Sequence, residues 1–234
     1  MRTPLQREHK FTLCYVTERR ALASARGDSA SREVRTHPAH ALLEIIRHAT
    51  AAGVDWIQIR EKDLEARTLA ELVRLAVADT READTSILVN DRLDVALAAG
   101  AAGVHLGETS LPVKAVTEWR RAAGRMEFRI GVSCHSAETA CAAERAGADY
   151  IFFGPVFATP SKAAFGPPQE IERLREVCRS VRIPVLAIGG VTIENVASCL
   201  AAGAAGVAAI RLFQESEDVA TVVARLRAKC LPIS

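Results

Sequence analysis

The sequence has no long apolar run and no excess of charge of one sign. Its 234 residues carry 30 lysines and arginines against 28 aspartates and glutamates, a formal net charge of +2. So small a net charge provides no general field that would attract nucleic acid. No apolar stretch approaches the roughly 20 residues that a transmembrane helix needs, and the polar residues 1–10 lack the apolar middle of a signal peptide. We therefore expect a cytoplasmic protein with neither nucleic-acid nor membrane partners.

The sequence also lacks paired cysteines. Its six cysteines are scattered singly, and no two have the Cys-x-x-Cys spacing that is typical of zinc and redox sites. They are Cys14, Cys134, Cys141, Cys178, Cys199 and Cys230. We expect them to be reduced and mostly buried, as small apolar side chains of a cytosolic protein. Because no linker or low-complexity tract interrupts the chain, we predict a polar leader over residues 1–10 and one domain over residues 11–230.

A short pattern occurs four times along the chain: a helical stretch ends at Ala-Gly, and a short apolar strand follows. Glycine favours the position just past a helix end because it adopts the left-handed conformation at little cost. The four glycines are Gly53, Gly100, Gly147 and Gly203, at nearly even spacing. Together with the strands between them, the pattern predicts strands over residues 11–16, 56–58, 86–90, 104–106, 129–133, 150–153, 184–188 and 207–210.

Each predicted strand is followed by a stretch with helical periodicity, the first over residues 39–52. Later helices begin near Thr68, which fits a capping box with Glu71, and at Thr192. Strands that alternate with helices are parallel and joined by right-handed crossovers, and eight such units close into a barrel. We therefore predict an α/β fold, a single-domain (β/α)8 TIM barrel. The alternative, a doubly wound open sheet, would need a glycine-rich loop where residues 16–19 (VTER) stand.

Three polar side chains follow the second predicted strand. On an extended strand, Gln58, Arg60 and Lys62 project to one side, with Ile59 and Glu61 on the other. A neutral amide, a guanidinium fork and an ammonium group together suit a polyanion attached to a heterocycle. Because the site of a barrel is built at the carboxyl ends of its strands, we predict that substrate binds here.

The third predicted strand ends at Asn90 and Asp91. Both residues have a structural alternative, since Asn90 could simply end the strand and Asp91 could cap the next helix. Beside Arg60 and Lys62, however, a carboxylate is placed to hold Mg²⁺ between phosphate oxygens. We therefore predict a magnesium cofactor at Asp91.

A second anion site is predicted at the ends of strands seven and eight. The backbone N–H groups of Gly189 and Gly190 precede a helix and would cradle a phosphate, next to Arg211. The alternative is that the two glycines only form a tight turn. The loop after strand six, which we place with the first anion site near strands two and three, is long enough for a lid and offers two hydroxyl groups and an ammonium group. These belong to Thr159, Ser161 and Lys162. Two anion sites predict two phosphorylated small-molecule substrates.

Two histidines lie on predicted strands or at their ends. His135 is ambiguous, because a histidine beside a strand end is as often structural as catalytic. His105 lies in the fourth strand, and we interpret it as a packing or supporting residue. Residues 19–38 form a long loop or a flap, and the sequence decides neither whether they close over the site nor whether the chain is a homodimer.

These motifs, taken in order, resemble the thiamin-phosphate synthase family over about residues 11–213. The segments that carry the resemblance are 58–62 (QIREK), 89–91 (VND), 103–107 (GVHLG), 131–135 (GVSCH), 154–157 (GPVF), 159–162 (TPSK) and 187–191 (AIGGV). The family is a (β/α)8 barrel that joins hydroxymethylpyrimidine diphosphate to thiazole phosphate and releases pyrophosphate. The resemblance implies a dissociative reaction: pyrophosphate leaves, the pyrimidine cation is stabilised by its amino group, and the thiazole nitrogen attacks.

The resemblance also implies a role for each matching residue. Binding of the pyrimidine diphosphate would fall to Gln58, Arg60, Lys62, Asn90, Ser133 and Lys162. Within that set the catalytic residues would be Arg60, Lys62, Ser133 and Lys162. Binding of the thiazole phosphate would fall to Thr159, Ser161, Gly189, Gly190, Ile210 and Arg211. Asp91 would ligate Mg²⁺, and catalysis would come mainly from charge stabilisation and positioning.

The sequence departs from the family at two positions. The family usually has an aspartate, a second Mg²⁺ ligand, where this chain has Ser110. Serine is a poor replacement for an anionic ligand of a hard cation, and Glu108 is a candidate substitute. The family usually has a serine where this chain has Arg211, which would either bind phosphate or block the pocket.

Two other functions compete with the synthase. In a related thiazole tautomerase His135 would move protons on the thiazole, and in a non-catalytic thiamin-precursor binding protein the pockets would persist without turnover. A tautomerase has no pyrophosphate to hold. The residues that would hold one are therefore the argument for the synthase: Arg60, Lys62, Asn90, Asp91 and Lys162.

Overall fold

Eight parallel strands form one closed barrel in the computed structural model, which describes residues 11–21, 38–159 and 168–229. Each strand pairs with the next along the chain, and the last pairs with the first. The strands are β1 (Thr12–Val16), β2 (Trp56–Ile59), β3 (Ser86–Asn90), β4 (Gly103–Leu106), β5 (Arg129–Cys134), β6 (Tyr150–Phe153), β7 (Val185–Ile188) and β8 (Gly206–Ala209). The predicted (β/α)8 barrel is confirmed, and the open-sheet alternative is wrong.

Helices alternate with the strands. They are α1 (Pro38–Ala51), α2 (Ala66–Asp79), α3 (Leu93–Ala99), α4 (Val113–Ala122), α5 (Ala137–Ala146), α6 (Glu170–Ser180), α7 (Val196–Ala201), α8 (Arg211–Gln214) and α9 (Val219–Ala228). The predicted polar leader lies outside the described residues, and so does the predicted flap except at its ends, a helical turn at residues 19–21 and the start of α1. No helix of the described ranges is both long and apolar enough to cross a membrane.

The strands separate two apolar layers because their side chains alternate between the two faces of the barrel wall. Outward side chains such as Ile57 and Val104 pack against the inner faces of the helices. Inward side chains fill the barrel as a smaller cluster: Cys14, Val16, Leu88, Tyr150, Phe152, Leu186 and Ala208. All five cysteines in the described ranges are free thiols, and three are buried. The barrel is therefore a packed core, and several of its polar residues, such as Gln58 and Asn90, lie toward the carboxyl ends of the strands.

The four recurrent glycines do end helical stretches in the left-handed conformation, with φ between 72° and 99°. Two predicted helix starts are wrong by a few residues. α2 begins at Ala66, so Thr68 lies inside it, and its hydroxyl donates to the Glu65 carboxylate instead of capping the helix. Thr192 accepts two backbone N–H bonds, but it closes a turn that precedes α7. Polar side chains have several local partners near a helix end, so spacing alone misplaces the cap.

Candidate active site

The predicted substrate residues of β2 and β3 meet at the carboxyl-end rim of the barrel. Gln58 is 2% exposed, and its Nε2 donates to Oδ1 of Asn90 at 3.0 Å. The bond leaves the Gln58 carbonyl oxygen and the Asn90 amide nitrogen to face other groups. Two amides therefore present one acceptor and one donor side by side, an arrangement that suits the edge of a heterocycle.

Arg60 lies just past the end of β2. Its guanidinium Nη1 is 3.4 Å from Oε2 of Glu18, and its side chain is 26% exposed. The alternation predicted over residues 58–62 stops at Ile59, because the strand ends there and a turn follows. Lys62 is consequently exposed, whereas Glu61 is buried. Of the two cations predicted in this segment, Arg60 is the one whose contact with Glu18 defines its position.

Glu61, which the sequence interpretation left without a role, clamps the loop after β1. Its Oε1 accepts from the Thr17 hydroxyl at 2.6 Å, and both its oxygens accept from the Arg19 backbone N–H at 3.1 Å. The Thr17 oxygen in turn accepts from the Arg60 backbone N–H at 3.0 Å. Burial raises the pKa of the Glu61 carboxyl, against the bonds from Thr17 and Arg19 that lower it. The buried carboxylate thus supports Arg60 through Thr17.

The same loop is bound to α8. The Glu18 backbone N–H donates to Gln214 Oε1 at 2.6 Å, and Gln214 Nε2 donates back to the Glu18 carbonyl at 2.8 Å. Gln214 ends α8, and Arg211 begins it. The helix that carries one predicted phosphate ligand therefore also anchors the carboxylate partner of Arg60. The sequence feature that could have indicated this contact is the polar run that follows β1. From the sequence alone, that run was weighed only as a possible dinucleotide-binding loop.

Ser133 is supported from inside the barrel. Its Oγ lies 2.9 Å from Nε2 of His105, whose Nδ1 lies 3.1 Å from the Tyr150 hydroxyl. His105 is 1% exposed, and its ring packs on Phe152 with centroids 4.2 Å apart. The interpretation of His105 as a packing and supporting residue agrees with these contacts. His135 instead bonds to the Gly154 carbonyl through Nδ1 at 2.5 Å.

Asp91 occupies an unusual backbone conformation, with φ of 64°. Its N–H donates to the His105 carbonyl at 2.8 Å, and its side chain is exposed. The N-cap of α3 is Arg92, which makes no side-chain cap bond, so the helix-cap alternative for Asp91 is wrong. A residue other than glycine in this conformation costs about 1 kcal/mol or more and is often found at functional sites.

The donor set near Asp91 fits Mg²⁺ only with help from a substrate. Within the described ranges no group of three or more His, Cys, Asp and Glu side chains could hold a metal ion. Ser110 Oγ accepts from the Gly107 N–H at 2.7 Å, and Glu108 lies 3.6 Å from His135 Nε2. Mg²⁺ is commonly held by one or two carboxylates together with substrate phosphates and water. Asp91 with a diphosphate meets that requirement.

The residues that the resemblance assigns to the thiazole phosphate come from the ends of β6, β7 and β8. Arg211 Nη2 donates to the Thr159 hydroxyl at 2.9 Å, which brings two predicted phosphate ligands together. Ile210 lies beside them at the N-cap of α8, because β8 ends one residue earlier than predicted. Ser161 and Lys162 lie outside the described residues.

Glycine is needed at positions 189 and 190 because the loop that follows β6 packs closely against them. Both have positive φ, and the Gly189 carbonyl accepts from the Phe157 N–H at 3.0 Å. A Cβ added to Gly190 would lie 2.7 Å from the Phe157 Cβ, so no side chain fits there. The two glycines are thus both a tight turn after β7 and the place where the loop after β6 packs against it. The structural and the phosphate-binding interpretations are compatible.

His105 makes the stability of the protein depend on pH. Burial, and to a smaller extent the charge of Arg60, lowers its pKa from 6.5 to about 3. Below pH 6.5 the unfolded chain therefore binds a proton that the folded chain does not, so the stability that neutral His105 contributes is complete above pH 6.5 and is lost as the pH falls. We expect the free energy of unfolding to fall by about 2 kcal/mol more in the wild type than in His105→Gln between pH 7 and pH 5.

Urea unfolding at the two pH values measures that difference. The control is His48→Gln at an exposed position on α1. It shows whether a histidine-to-glutamine change alters the pH dependence of stability when the side chain is not buried. Equal pH slopes in the wild type and in His105→Gln would contradict a neutral buried imidazole.

Comparison with known proteins assigns the chain to a family. The family model described as thiamine monophosphate synthase matches residues 32–213. A putative thiamine-phosphate synthase of Geobacter sulfurreducens is 51% identical over 169 residues, which are 72% of this chain and 78% of that protein. The thiamine-phosphate synthase of Methanocella arvoryzae is 45% identical over 82% of this chain and 87% of its own.

A solved structure gives the same result. The thiamine phosphate pyrophosphorylase of Pyrococcus furiosus matches with a TM-score of 0.77 and 33% identity, over 94% of this chain and 96% of that one. The 3-hexulose-6-phosphate synthase structure, at 21% identity and a TM-score of 0.60, shares the fold alone. On its sequence and on its structure, the chain belongs to the thiamine monophosphate synthase family.

Proposed function

We propose that this chain is a thiamine-phosphate synthase, a transferase that couples hydroxymethylpyrimidine diphosphate with thiazole phosphate and releases pyrophosphate. The proposal is supported by relatives of that name over most of the chain. The observation that carries it is the arrangement of two polar pairs on one rim: Gln58 with Asn90, and Thr159 with Arg211. Each pair belongs to a different arc of the barrel, as two phosphorylated substrates require.

The pyrimidine diphosphate would bind over β2, β3 and β5. Gln58 and Asn90 would recognise the ring, and Arg60 would exchange its contact with Glu18 for the diphosphate. When the carbon–oxygen bond to the diphosphate breaks, the bonding electrons leave with pyrophosphate, and Arg60 stabilises the charge that develops there. Lys62 and Lys162, which the resemblance places on the same leaving group, would add to this field.

Bound Mg²⁺ would supply further charge neutralisation on the diphosphate, with Asp91 as its protein ligand. The thiazole phosphate would bind at Thr159, Ser161 and Arg211, near the Gly189–Gly190 turn. This placement holds the thiazole nitrogen near the pyrimidine cation, so the second bond forms between partners that are already oriented. Arg211 therefore acts as a phosphate ligand in this proposal, because its guanidinium already donates a hydrogen bond to the hydroxyl of Thr159, another proposed phosphate ligand.

A direct assay tests the proposal. Purified protein incubated with both phosphorylated precursors and Mg²⁺ should form thiamin phosphate and pyrophosphate in equal amounts, and omission of either precursor should abolish both. Binding of both precursors without product would instead indicate the non-catalytic alternative. Isomerisation of the thiazole in the absence of the pyrimidine would indicate the tautomerase.

The metal site gives a more specific prediction. The resemblance places a second Mg²⁺ ligand at position 110, so Ser110→Asp would restore a carboxylate there, and that carboxylate could still accept from the Gly107 N–H, as the serine does. We expect the Mg²⁺ concentration that gives half of the maximal rate to fall by about threefold to tenfold, because Mg²⁺ prefers anionic oxygen ligands. Metal titrations of the initial rate measure this value. Ser110→Ala serves as control, and a rate that is lost in Ser110→Asp would contradict the assignment.

A further inference from the structure

A chain of hydrogen bonds runs through the interior of the barrel to Ser133. The Tyr150 hydroxyl lies 3.1 Å from Nδ1 of His105, and Nε2 of His105 lies 2.9 Å from Ser133 Oγ. Tyr150 and His105 are each 1% exposed. The chain therefore joins a buried hydroxyl in the middle of the barrel to a hydroxyl at the rim.

The barrel has space for this chain because β5 has no side chain at Gly131. Gly131 pairs in register with both His105 of β4 and Tyr150 of β6. A Cβ at Gly131 would lie 2.0 Å from the Tyr150 ring carbon that carries the hydroxyl. The tyrosine ring occupies that space and so reaches the imidazole. Contact with Phe152 then holds the plane of the His105 ring.

The direction of the hydrogen bonds follows from burial. A neutral imidazole has one donor and one acceptor nitrogen. His105 is buried and packs on the Phe152 ring, an environment that favours the neutral imidazole, and burial raises the pKa of Tyr150 well above its ordinary value, so the phenol keeps its proton. Within the described residues the Tyr150 hydroxyl has His105 as its one hydrogen-bond partner. A buried O–H without an acceptor costs about 1–3 kcal/mol, so the phenol donates to Nδ1.

We propose that Tyr150 is a positioning residue that fixes His105 as the Nε2–H tautomer and thereby orients the hydroxyl of Ser133. His105 then donates to Ser133 Oγ from inside the barrel, and the Ser133 proton is left to donate into the mouth of the site. The tautomer depends only on the contacts described above. The use of the Ser133 proton rests on the proposed function, in which it would meet the pyrimidine or its leaving group.

Tyr150→Phe tests the proposal, because it removes one oxygen and keeps the ring. The first readout is the pair of ¹⁵N chemical shifts of the His105 imidazole, measured by long-range proton–nitrogen NMR. We expect the wild type to show protonation at Nε2 and the variant to show a mixture of tautomers or protonation at Nδ1. Protonation at Nδ1 in the wild type, or an unchanged tautomer in the variant, would overturn the proposal.

The second readout is turnover with both precursors and Mg²⁺. We expect kcat to fall about tenfold in Tyr150→Phe, which corresponds to the loss of one oriented hydrogen bond, with little change in KM. In a Ser133→Ala background the same substitution should have almost no further effect on kcat, because it acts through Ser133. Independent losses that multiply in the double variant would overturn the positioning role.

Tyr15→Phe is a matched control. Tyr15 is also buried on a barrel strand, but its hydroxyl has no hydrogen-bond partner among the described residues. The control should leave both the His105 shifts and the turnover at wild-type values, and a change equal to that of Tyr150→Phe would overturn the proposal. If the tautomer changes as expected while the wild type makes no thiamin phosphate, the synthase assignment fails and the role of Tyr150 in fixing His105 stands.

Discussion

Replacement of Arg60 by methionine should lower kcat/KM for the pyrimidine diphosphate by about a hundredfold to a thousandfold. Methionine keeps the apolar stem of the side chain, and the backbone N–H of residue 60 still donates to Thr17, so the loop keeps its support. The variant lacks the guanidinium that would stabilise departing pyrophosphate. It also leaves Glu18 without its cation, so a negative charge stands beside the diphosphate site.

Three measurements isolate this effect. Steady-state rates should show the loss for the pyrimidine diphosphate, and binding of thiazole phosphate should stay within about twofold of the wild type, because in the proposed arrangement that substrate binds on the other arc of the rim. Addition of Glu18→Gln to Arg60→Met should recover part of the rate, since it removes the unpaired charge. Equal loss of affinity for both substrates would contradict two separate arcs.

Arg47→Met is the matched control for this prediction. Arg47 lies on α1, where its Nε pairs with Asp79 at 2.9 Å on the outside of the barrel. Exposed ion pairs of this kind contribute about 0–1 kcal/mol, so both rate and stability should stay close to those of the wild type. A comparable loss of rate in Arg47→Met would mean that the Arg60 result reports general destabilisation.

Local patterns predicted most of the fold. β3 and β6 begin and end at the predicted residues, and the recurrent glycines take the left-handed conformation that the pattern requires. These features depend on a few neighbouring residues, so they can be predicted from the local sequence. The candidate site was predictable for a related reason: in a closed parallel barrel every strand end lies on one rim, so Gln58 met Asn90 once the fold was known.

The supporting contacts could not be predicted in the same way, because they join residues far apart in the chain. Glu61 looked like a surface charge after a strand, and its burial depends on Thr17, 44 residues earlier. The pairing of Glu18 with Gln214 spans 196 residues. Sequence spacing carries no signal for such pairs, and a carboxylate or an amide is as common on a solvated turn as in a buried clamp. The capping box at Thr68 failed because nearby polar groups offered other partners.

Glu61→Gln should destabilise the protein by about 2–3 kcal/mol and lower kcat/KM by about tenfold or more. The substitution keeps the shape of the side chain but replaces one acceptor oxygen by an NH₂ group. The Arg19 N–H points at both carboxylate oxygens and the Thr17 hydroxyl points at one, so the NH₂ group must face a donor whichever way the amide turns. Even with the amide oxygen at the Oε1 position, the Arg19 N–H loses one of its two acceptors and faces the NH₂ group, both remaining bonds are to a neutral oxygen, and the ion pair with Arg19 Nε at 3.8 Å is lost.

The loss should extend to catalysis because the clamp supports Arg60. When Thr17 loses its partner, the Arg60 backbone N–H loses an acceptor that was held in place. Glu18 lies next to Thr17 in the same loop, so its contact with Arg60 is also disturbed. Denaturant unfolding measures the first effect and steady-state kinetics the second. Thr17→Val should reproduce both in part, since it removes the hydroxyl that joins Glu61 to Arg60. Glu65→Gln, in the same loop but with an exposed carboxylate that accepts from the Thr68 hydroxyl at 3.3 Å, should change stability by less than about 0.5 kcal/mol.

The result of Glu61→Gln also decides the charge state of the clamp. Burial raises the pKa of this carboxyl, while the bonds from Thr17 and from Arg19 favour the anion. If the anion is present at neutral pH, the neutral amide is a poor substitute and the predicted losses follow. If the carboxyl were protonated there, glutamine would resemble it closely, and the variant would match the wild type in stability and rate. Wild-type stability and rate in Glu61→Gln would therefore contradict the hypothesis that an anionic Glu61 supports Arg60.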